Sequence, residues 1–316
     1  MGAVALINTK NLDRLTWLKA RQAGIGGSDV SAIMGLNRWK SLIDVWVDKT
    51  TSVQDDEPSE AAYWGTVLED VVAGEFVRRT GLRVRRCNQL LQHGEYPYMI
   101  ANIDREIIGR PNGQRVGLEC KTASEYRKDE WSDEEIPAEY ILQCQHYMAV
   151  TGYDAWWIAV LIGGNKFAYK LIERDEEIIK MLIEQEGIFW HQYVEPKVMP
   201  PADGSEACTK ALSKMYPNSN GQAMALDAEC KALLERRDKL KERADLTKRQ
   251  LEQIDNTIKA KLGDAEIGEV GCYRVSWKTI ASTKPDAKVL KEQYPDIYQA
   301  CLKTSESRRF TVKEIN

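Results

Sequence analysis

At 316 residues, 43% of them hydrophobic, the chain is long enough to bury one full-sized core and a smaller second unit. A net charge of −4 excludes a surface coated in phosphate-binding side chains, so any nucleic-acid contact must be a local basic patch or one bridged by a cation. The seven cysteines are scattered, with no C-x-x-C pair, which excludes a zinc or iron–sulfur centre built on that spacing and reads as reduced cytosolic thiols. No stretch approaches the ~18 consecutive apolar residues of a membrane span, and residues 1–10 lack the basic start and apolar run of a secretion signal, so a cytoplasmic protein is expected.

In chain order, Leu12–Gly24 mixes Leu15, Leu18 and Ala23 with Arg14, Lys19 and Arg21 and is predicted as a helix ended by Gly24. Ile25-Gly26-Gly27-Ser28-Asp29 precedes Val30, Ile33 and Met34 at helical spacing, which makes Ser28 the expected N-cap of a second helix. Glycines before a helix N-terminus leave backbone N–H groups open to an anion, and Arg21 lies close enough in sequence to share it. Alternatively this is an ordinary capped helix beside a surface arginine. Leu42–Lys49 continues as helix, and the acidic stretch Thr50–Glu60 is expected as a loop. Over Ala61–Thr80, Val67, Leu68, Val71, Val72 and Phe76 form a helical stripe closed by Gly81, with Glu69 on its flank. Arg78, Arg79, Arg83, Arg85 and Arg86 make the densest basic run, suited to phosphate contacts or simply to a solvated face.

Met99–Thr122 reads as two strands joined at Pro111-Asn112-Gly113, because Asn-Gly tolerates positive φ. Met99, Ala101 and Ile103 should share one face, with Asp104 on the other; in the second strand Val116, Leu118 and Cys120 oppose Glu119 and Lys121. Asp104 then falls across from Glu119–Lys121. Two carboxylates and an ammonium on one face suit a hard divalent cation, magnesium or manganese, or else form a solvated charged face.

Ser124–Pro137 is a charged connection in which Trp131 is either an exposed contact or a buried anchor. Ala138–Thr151 is predicted as a helix with Gln143 and Tyr147 on one face. Ala155–Leu161 and Lys166–Ile172 form a strand pair across Gly163-Gly164, and Glu176–Tyr193 is a long helix. Residues 196–225, rich in proline and glycine, read as a linker. From Leu226, the positions Cys230, Leu233, Leu240, Ala244, Leu251, Ile254 and Ile258 follow a 4-3 seam broken by Arg237 and Thr247, which suits self-pairing or folding back onto the preceding core. Glu269–Ile280 alternates as strand material, and Arg308–Val312 is expected as an edge strand.

Asp104 followed by Glu119-Cys120-Lys121 resembles the core motif of the PD-(D/E)xK nucleases. With Trp64-Gly65-x-x-x-Glu69 upstream, Gln143-x-Gln145-x-Tyr147 downstream and RQAGIGGS at Arg21–Ser28, the order and spacing resemble the phage lambda-type exonucleases, the YqaJ-like viral recombinase family, over about residues 15–193. The resemblance implies an α/β, restriction-endonuclease-like core (1–195) with a central mixed sheet flanked by helices. It leaves the linker (196–225), a long helical segment (226–262) and a small β-containing tail (263–316) outside the match. It implies that Glu69, Asp104, Glu119 and the Cys120 carbonyl hold one or two Mg²⁺ ions, or Mn²⁺ in their place, about 4 Å apart. Lys121 would orient or deprotonate the attacking water, and Gln143 would support Lys121 and the DNA backbone. Arg21 and Ser28 would hold a 5′-phosphate, with Tyr147 on the same DNA-binding face. The implied activity is 5′→3′ exonuclease digestion of duplex DNA ends, leaving 3′ single-stranded tails for recombination by annealing in a bacterial cell carrying the phage or prophage. Implied partners are double-stranded DNA ends, a single-strand annealing protein and further copies of the chain. A structure-specific endonuclease of the same fold, or an inactive DNA-binding or assembly protein, are the alternatives. The stretch between Asp104 and Glu119 is longer than the family's minimal form, which leaves the role of Glu106 open.

Overall fold

In the computed structural model, which describes residues 2–53, 57, 59–109, 113–131 and 135–314, the chain forms two units, divided between Tyr216 and Pro217. The first unit opens with β1 (Val4–Asn8), α1 (Arg14–Gln22), α2 (Gly27–Ile33), α3 (Leu42–Thr50) and α4 (Glu60–Thr80). Strands β2 (Arg83–Arg86), β3 (Gln89–Gln92), β4 (Ile100–Asn102), β5 (Arg105–Ile108) and β6 (Val116–Ala123) follow. After a 3-10 turn at Glu125–Trp131 come α5 (Ala138–Thr151), β7 (Ala155–Ile162), β8 (Lys166–Glu173), α6 (Glu176–Phe189) with a π turn at Trp190–Val194, and α7 (Glu206–Met215).

The central sheet has the order β2-β5-β6-β7-β8 and is mixed: β6 and β7 run parallel, and every other neighbouring pair is antiparallel. β6 and β7 are covered on both sides, so their two residue sets face different cores. Val116 and Leu118 join Phe76 and Val72 of α4, whereas Trp156, Ile158 and Val160 join Met148 of α5 and Val30 of α2 on the other side. Gly117 is needed there, since a Cβ would lie 2.4 Å from the Trp156 ring. A smaller antiparallel sheet, β1-β3-β4, lies beside the second core.

Several expectations change in the structure. The first arm of the predicted hairpin is not one strand: β4 pairs with β3 in the small sheet, and only β5 pairs with β6, the chain changing sheets at Ile103–Asp104. Ile100, which strict strand alternation would put on the face opposite Met99, Ala101 and Ile103, is buried together with them. The turn residues Pro111 and Asn112 lie outside the described residues; Gly113 has φ +70°. In α4 the apolar stripe is narrower than expected. Val72, Ala73 and Phe76 are buried, but Val67 and Val71 are exposed. Trp131 is a buried anchor, stacked on Tyr140. The expected linker contains α7, whose Cys208 and Ala211 bury against Ile43 of α3: small residues on one face let two helices approach closely.

The second unit contains α8 (Ala228–Leu262), a hairpin of β9 (Ile267–Val270) and β10 (Tyr273–Ser276), and short helices α9 (Ala287–Gln293) and α10 (Pro295–Ala300). The stretch expected as one strand is therefore two, turned at Gly271 with φ +57°, and the expected edge strand near Arg308 is not a strand. Asp227 caps α8 by accepting from Cys230 N–H at 2.9 Å. Among the described residues, no helix is long and apolar enough to cross a membrane.

Candidate active site

Asp104 sits where the chain leaves the small sheet and enters β5, opposite Glu119 on the antiparallel neighbour. Its Oδ2 accepts from Cys120 N–H at 2.8 Å, which fixes the carboxylate against β6. Glu119 is 3% exposed and points to the α5 side of the sheet. Its Oε1 accepts from Gln143 Nε2 at 2.7 Å and pairs with Lys121 Nζ at 2.6 Å, while its Oε2 is buried without a hydrogen-bond partner. Gln143 Nε2 also donates to Tyr147 Oη at 2.8 Å, so the i, i+4 pair on α5 does share the face toward the sheet. The support expected from Gln143 to Lys121 goes instead to the carboxylate that Lys121 pairs with.

Electrostatics follow from this crowding. Burial, then the neighbouring Glu119 and Glu69 charges, push the Asp104 carboxyl well above its ordinary value, against the pull of Lys121. Burial works against the Lys121 ammonium, but Glu119 and Asp104 outweigh it and raise its pKa. Lys121 Nζ also lies 5.2 Å over the Tyr140 ring, a second favourable contact for its charge. Glu69 is turned elsewhere: its carboxylate is held by Arg105, which also bonds the Asp104 carbonyl at 2.7 Å and Asp70 at 2.6 Å.

The anion turn lies against the same cluster. Gly26, not Ser28, is the N-cap of α2, because Asp29 Oδ2 accepts from Gly26 N–H at 3.1 Å and Asp29 N–H donates back to the Gly26 carbonyl at 2.8 Å. Ser28 thus lies in the first turn, where its Oγ accepts from Arg21 Nη2 at 2.9 Å. A Cβ on Gly27 would meet the Tyr147 ring at 2.6 Å, so only glycine lets α2 come this close to α5. One cavity of about 160 Å³ is lined by Arg21, Gly26, Ser28, Asn102, Asp104 and Tyr147, joining the anion turn to Asp104.

Two features escaped the sequence reading. Arg105 is a buried arginine at an inward position between Ile103 and Ile107, and a cation in an apolar register signals acidic partners. The second is the buried Asp29, ion-paired with Lys40 at 2.9 Å and Lys49 at 2.8 Å. Burial opposes its charge, yet the two lysines hold its carboxyl well below the ordinary range. Lys49 also donates to the Arg21 carbonyl at 3.1 Å, tying α1 to the anion turn. The arginine run is largely consumed within the fold: Arg78 and Arg79 pair with Glu75, Arg86 with Asp70, and Arg85 with Glu106, which places Glu106 in a cross-strand ion pair.

Among the described residues no three histidine, cysteine or carboxylate side chains form a ready-made cage for a metal. The unpartnered Glu119 Oε2 and the crowded Asp104 carboxyl nonetheless fit a divalent cation, which would supply the charge that both lack.

Residues 16–154 match the YqaJ-like viral recombinase domain. Over 99% of this chain and 98% of its relative, the sequence is 43% identical to the uncharacterized protein YqaJ of Bacillus subtilis (strain 168). The chain belongs to the YqaJ-like viral recombinase family. Solved structures similar to this family member include an alkaline exonuclease from Laribacter hongkongensis, at 19% identity and TM-score 0.47 over 63% of this chain and 98% of that one. A phage-related exonuclease from Haemophilus somnus 129PT is similar at 12% identity and TM-score 0.40, over 57% of this chain and 99% of that one.

Proposed function

We propose that the chain is a metal-dependent nuclease that digests duplex DNA from its ends in the 5′→3′ direction, leaving 3′ single-stranded tails for annealing-based recombination. The observation that carries this is the buried Asp104–Glu119–Lys121 cluster sharing a cavity system with the Arg21–Ser28 turn. Asp104 and Glu119 would hold a magnesium ion, with Glu69 joining them on release from Arg105 and the Cys120 carbonyl beside them. When bound, the ion supplies Lewis-acid stabilisation of the charge that develops on phosphate oxygens. Lys121, held as an ammonium by Glu119, orients the attacking water and offsets charge on the phosphate. Gln143 keeps Glu119 in register with Lys121. Arg21 and Ser28, with the N–H groups of the Gly26–Ser28 turn, receive the terminal 5′-phosphate and set the direction of digestion. Duplex ends are thus the substrate, and an annealing protein and further copies of the chain are the expected partners.

The test is a time course on linear duplex with 5′-phosphate or 5′-hydroxyl ends, alongside closed circles. The expected result is mononucleotide release that prefers 5′-phosphate, a preference that Arg21→Ala loses. Nicking of closed circles as fast as digestion of linear duplex would replace the exonuclease with an endonuclease.

A further inference from the structure

Between α2 and α3 the chain makes a tight turn that holds a tryptophan into solvent. Asn37 Oδ1 accepts from the backbone N–H of Trp39 at 2.8 Å and of Lys40 at 2.9 Å, and Asn37 Nδ2 donates to Ser31 Oγ at 3.0 Å. The turn is fixed to the end of α2 by these bonds, yet Trp39 is 72% exposed. Burying an indole is among the most favourable moves open to a folding chain, so a well-anchored turn that keeps it out is informative. Its only aromatic contact among the described residues is cationic: the Arg38 guanidinium lies 5.8 Å from the ring centroid.

The position of this ring gives it a use. Trp39 lines a cavity of about 170 Å³ together with Ser28, Asn37, Lys121, Tyr140 and Gln143. The exposed indole is therefore the rim of the pocket whose wall carries the Lys121 ammonium. Ser28 belongs both to this cavity and to the one that reaches Asp104. Because Ser28, Lys121 and Trp39 line one cavity, a strand whose phosphates enter it past Ser28 and Lys121 would present its bases toward Trp39. A flat, exposed ring beside cationic phosphate contacts is the arrangement that binds unpaired bases, since every base offers a π-face while a base in a duplex does not.

We propose that Trp39 is a stacking platform for an unpaired nucleobase of the strand being cut. On the nuclease reading, which it extends, the site then selects a single-stranded or opened 5′ end, and Trp39 contributes to separating the duplex ahead of cleavage. Arg38, which lies beside the ring, is paired with Glu130 at 3.4 Å.

The test is equilibrium binding of a short 5′-phosphorylated single-stranded oligonucleotide in the presence of EDTA, with an abasic site placed at successive positions from the 5′ end. Wild type is expected to lose about tenfold in affinity at one position, the size of one lost base stack. Trp39→Ala should bind the intact oligonucleotide about tenfold more weakly and become indifferent to the abasic site, whereas Trp39→Phe should keep most of the discrimination. Trp39 is exposed, so neither variant disturbs the core. Wild-type affinity that is indifferent to the abasic site at every position, or Trp39→Ala binding as wild type does, would overturn the platform while leaving hydrolysis intact. Failure of wild type to bind any such oligonucleotide would also overturn the platform, whereas the nuclease reading falls separately, on absence of nucleotide release from linear duplex in magnesium.

Discussion

The first unit and the second solve the problem of staying folded in different ways. Residues up to Tyr216 enclose Trp156, Phe76, Phe189 and Met148 at essentially zero exposure, and buried ion pairs such as Asp29 with Lys49 are tolerated because the core around them is rigid. From Pro217 onward not one described residue is buried: α8 runs for 35 residues with Leu233, Leu240, Leu251 and Ile254 more than half exposed. Its helix rests on local terms, the Asp227 cap and good helix formers, which act over one or two turns. A chemical site needs side chains held in place from several directions, and only the first unit provides that.

The contrast breaks first at the indole rings. Trp156→Ala should destabilise the first unit by about 3–5 kcal/mol, the cost of emptying a filled aromatic site, whereas Trp277→Ala should move the unfolding midpoint by less than about 0.5 kcal/mol. Paired denaturant titrations check both. Next, Gly27→Ala forces a methyl against Tyr147 and should cost about 1–3 kcal/mol, with a larger loss in DNA hydrolysis than in helix content because it parts the anion turn from α5.

The pH dependence should also sit in the first unit. His146 Nε2 faces the Ile100 carbonyl at 2.9 Å, which can only accept, and Nδ1 faces Glu186 at 2.9 Å. Burial opposes charge on both groups, but Glu186 holds the imidazolium and raises the His146 pKa. Its stabilisation is therefore complete below the ordinary imidazole value of about 6.5 and is lost as the pH climbs through the raised value. Unfolding midpoints should fall over that window in wild type, and His146→Gln should flatten the fall. The smallest effect belongs to the second unit: Asp227→Ala should loosen the first turn of α8, visible as faster amide exchange there and not in the core's midpoint.

Much of this was legible before any coordinates. The faces of β6 follow from alternation alone, with Val116 and Leu118 toward α4 and Glu119 and Lys121 toward α5. The i, i+4 relation of Gln143 and Tyr147 held because helix geometry is local. What local pattern could not supply was the change of sheet at Asp104, since an uninterrupted apolar run looks the same whether it serves one sheet or two. The capture of Glu69 by Arg105 depends on two elements 36 residues apart, and the pairing of the largely solvated arginine run depends on Asp70, Glu75 and Glu106, which lie on neighbouring turns and strands. Packing of α7 onto α3 was hidden by the prolines around it.

The most direct test of the cluster as a hydrolytic centre is magnesium-dependent nucleotide release from linear duplex by wild type and Asp104→Asn, a swap that preserves volume and removes one charge. Release by wild type, abolished by EDTA and reduced by about a thousandfold or more in the variant, is the expected result. Equal rates in the two proteins, or release untouched by EDTA, would contradict it.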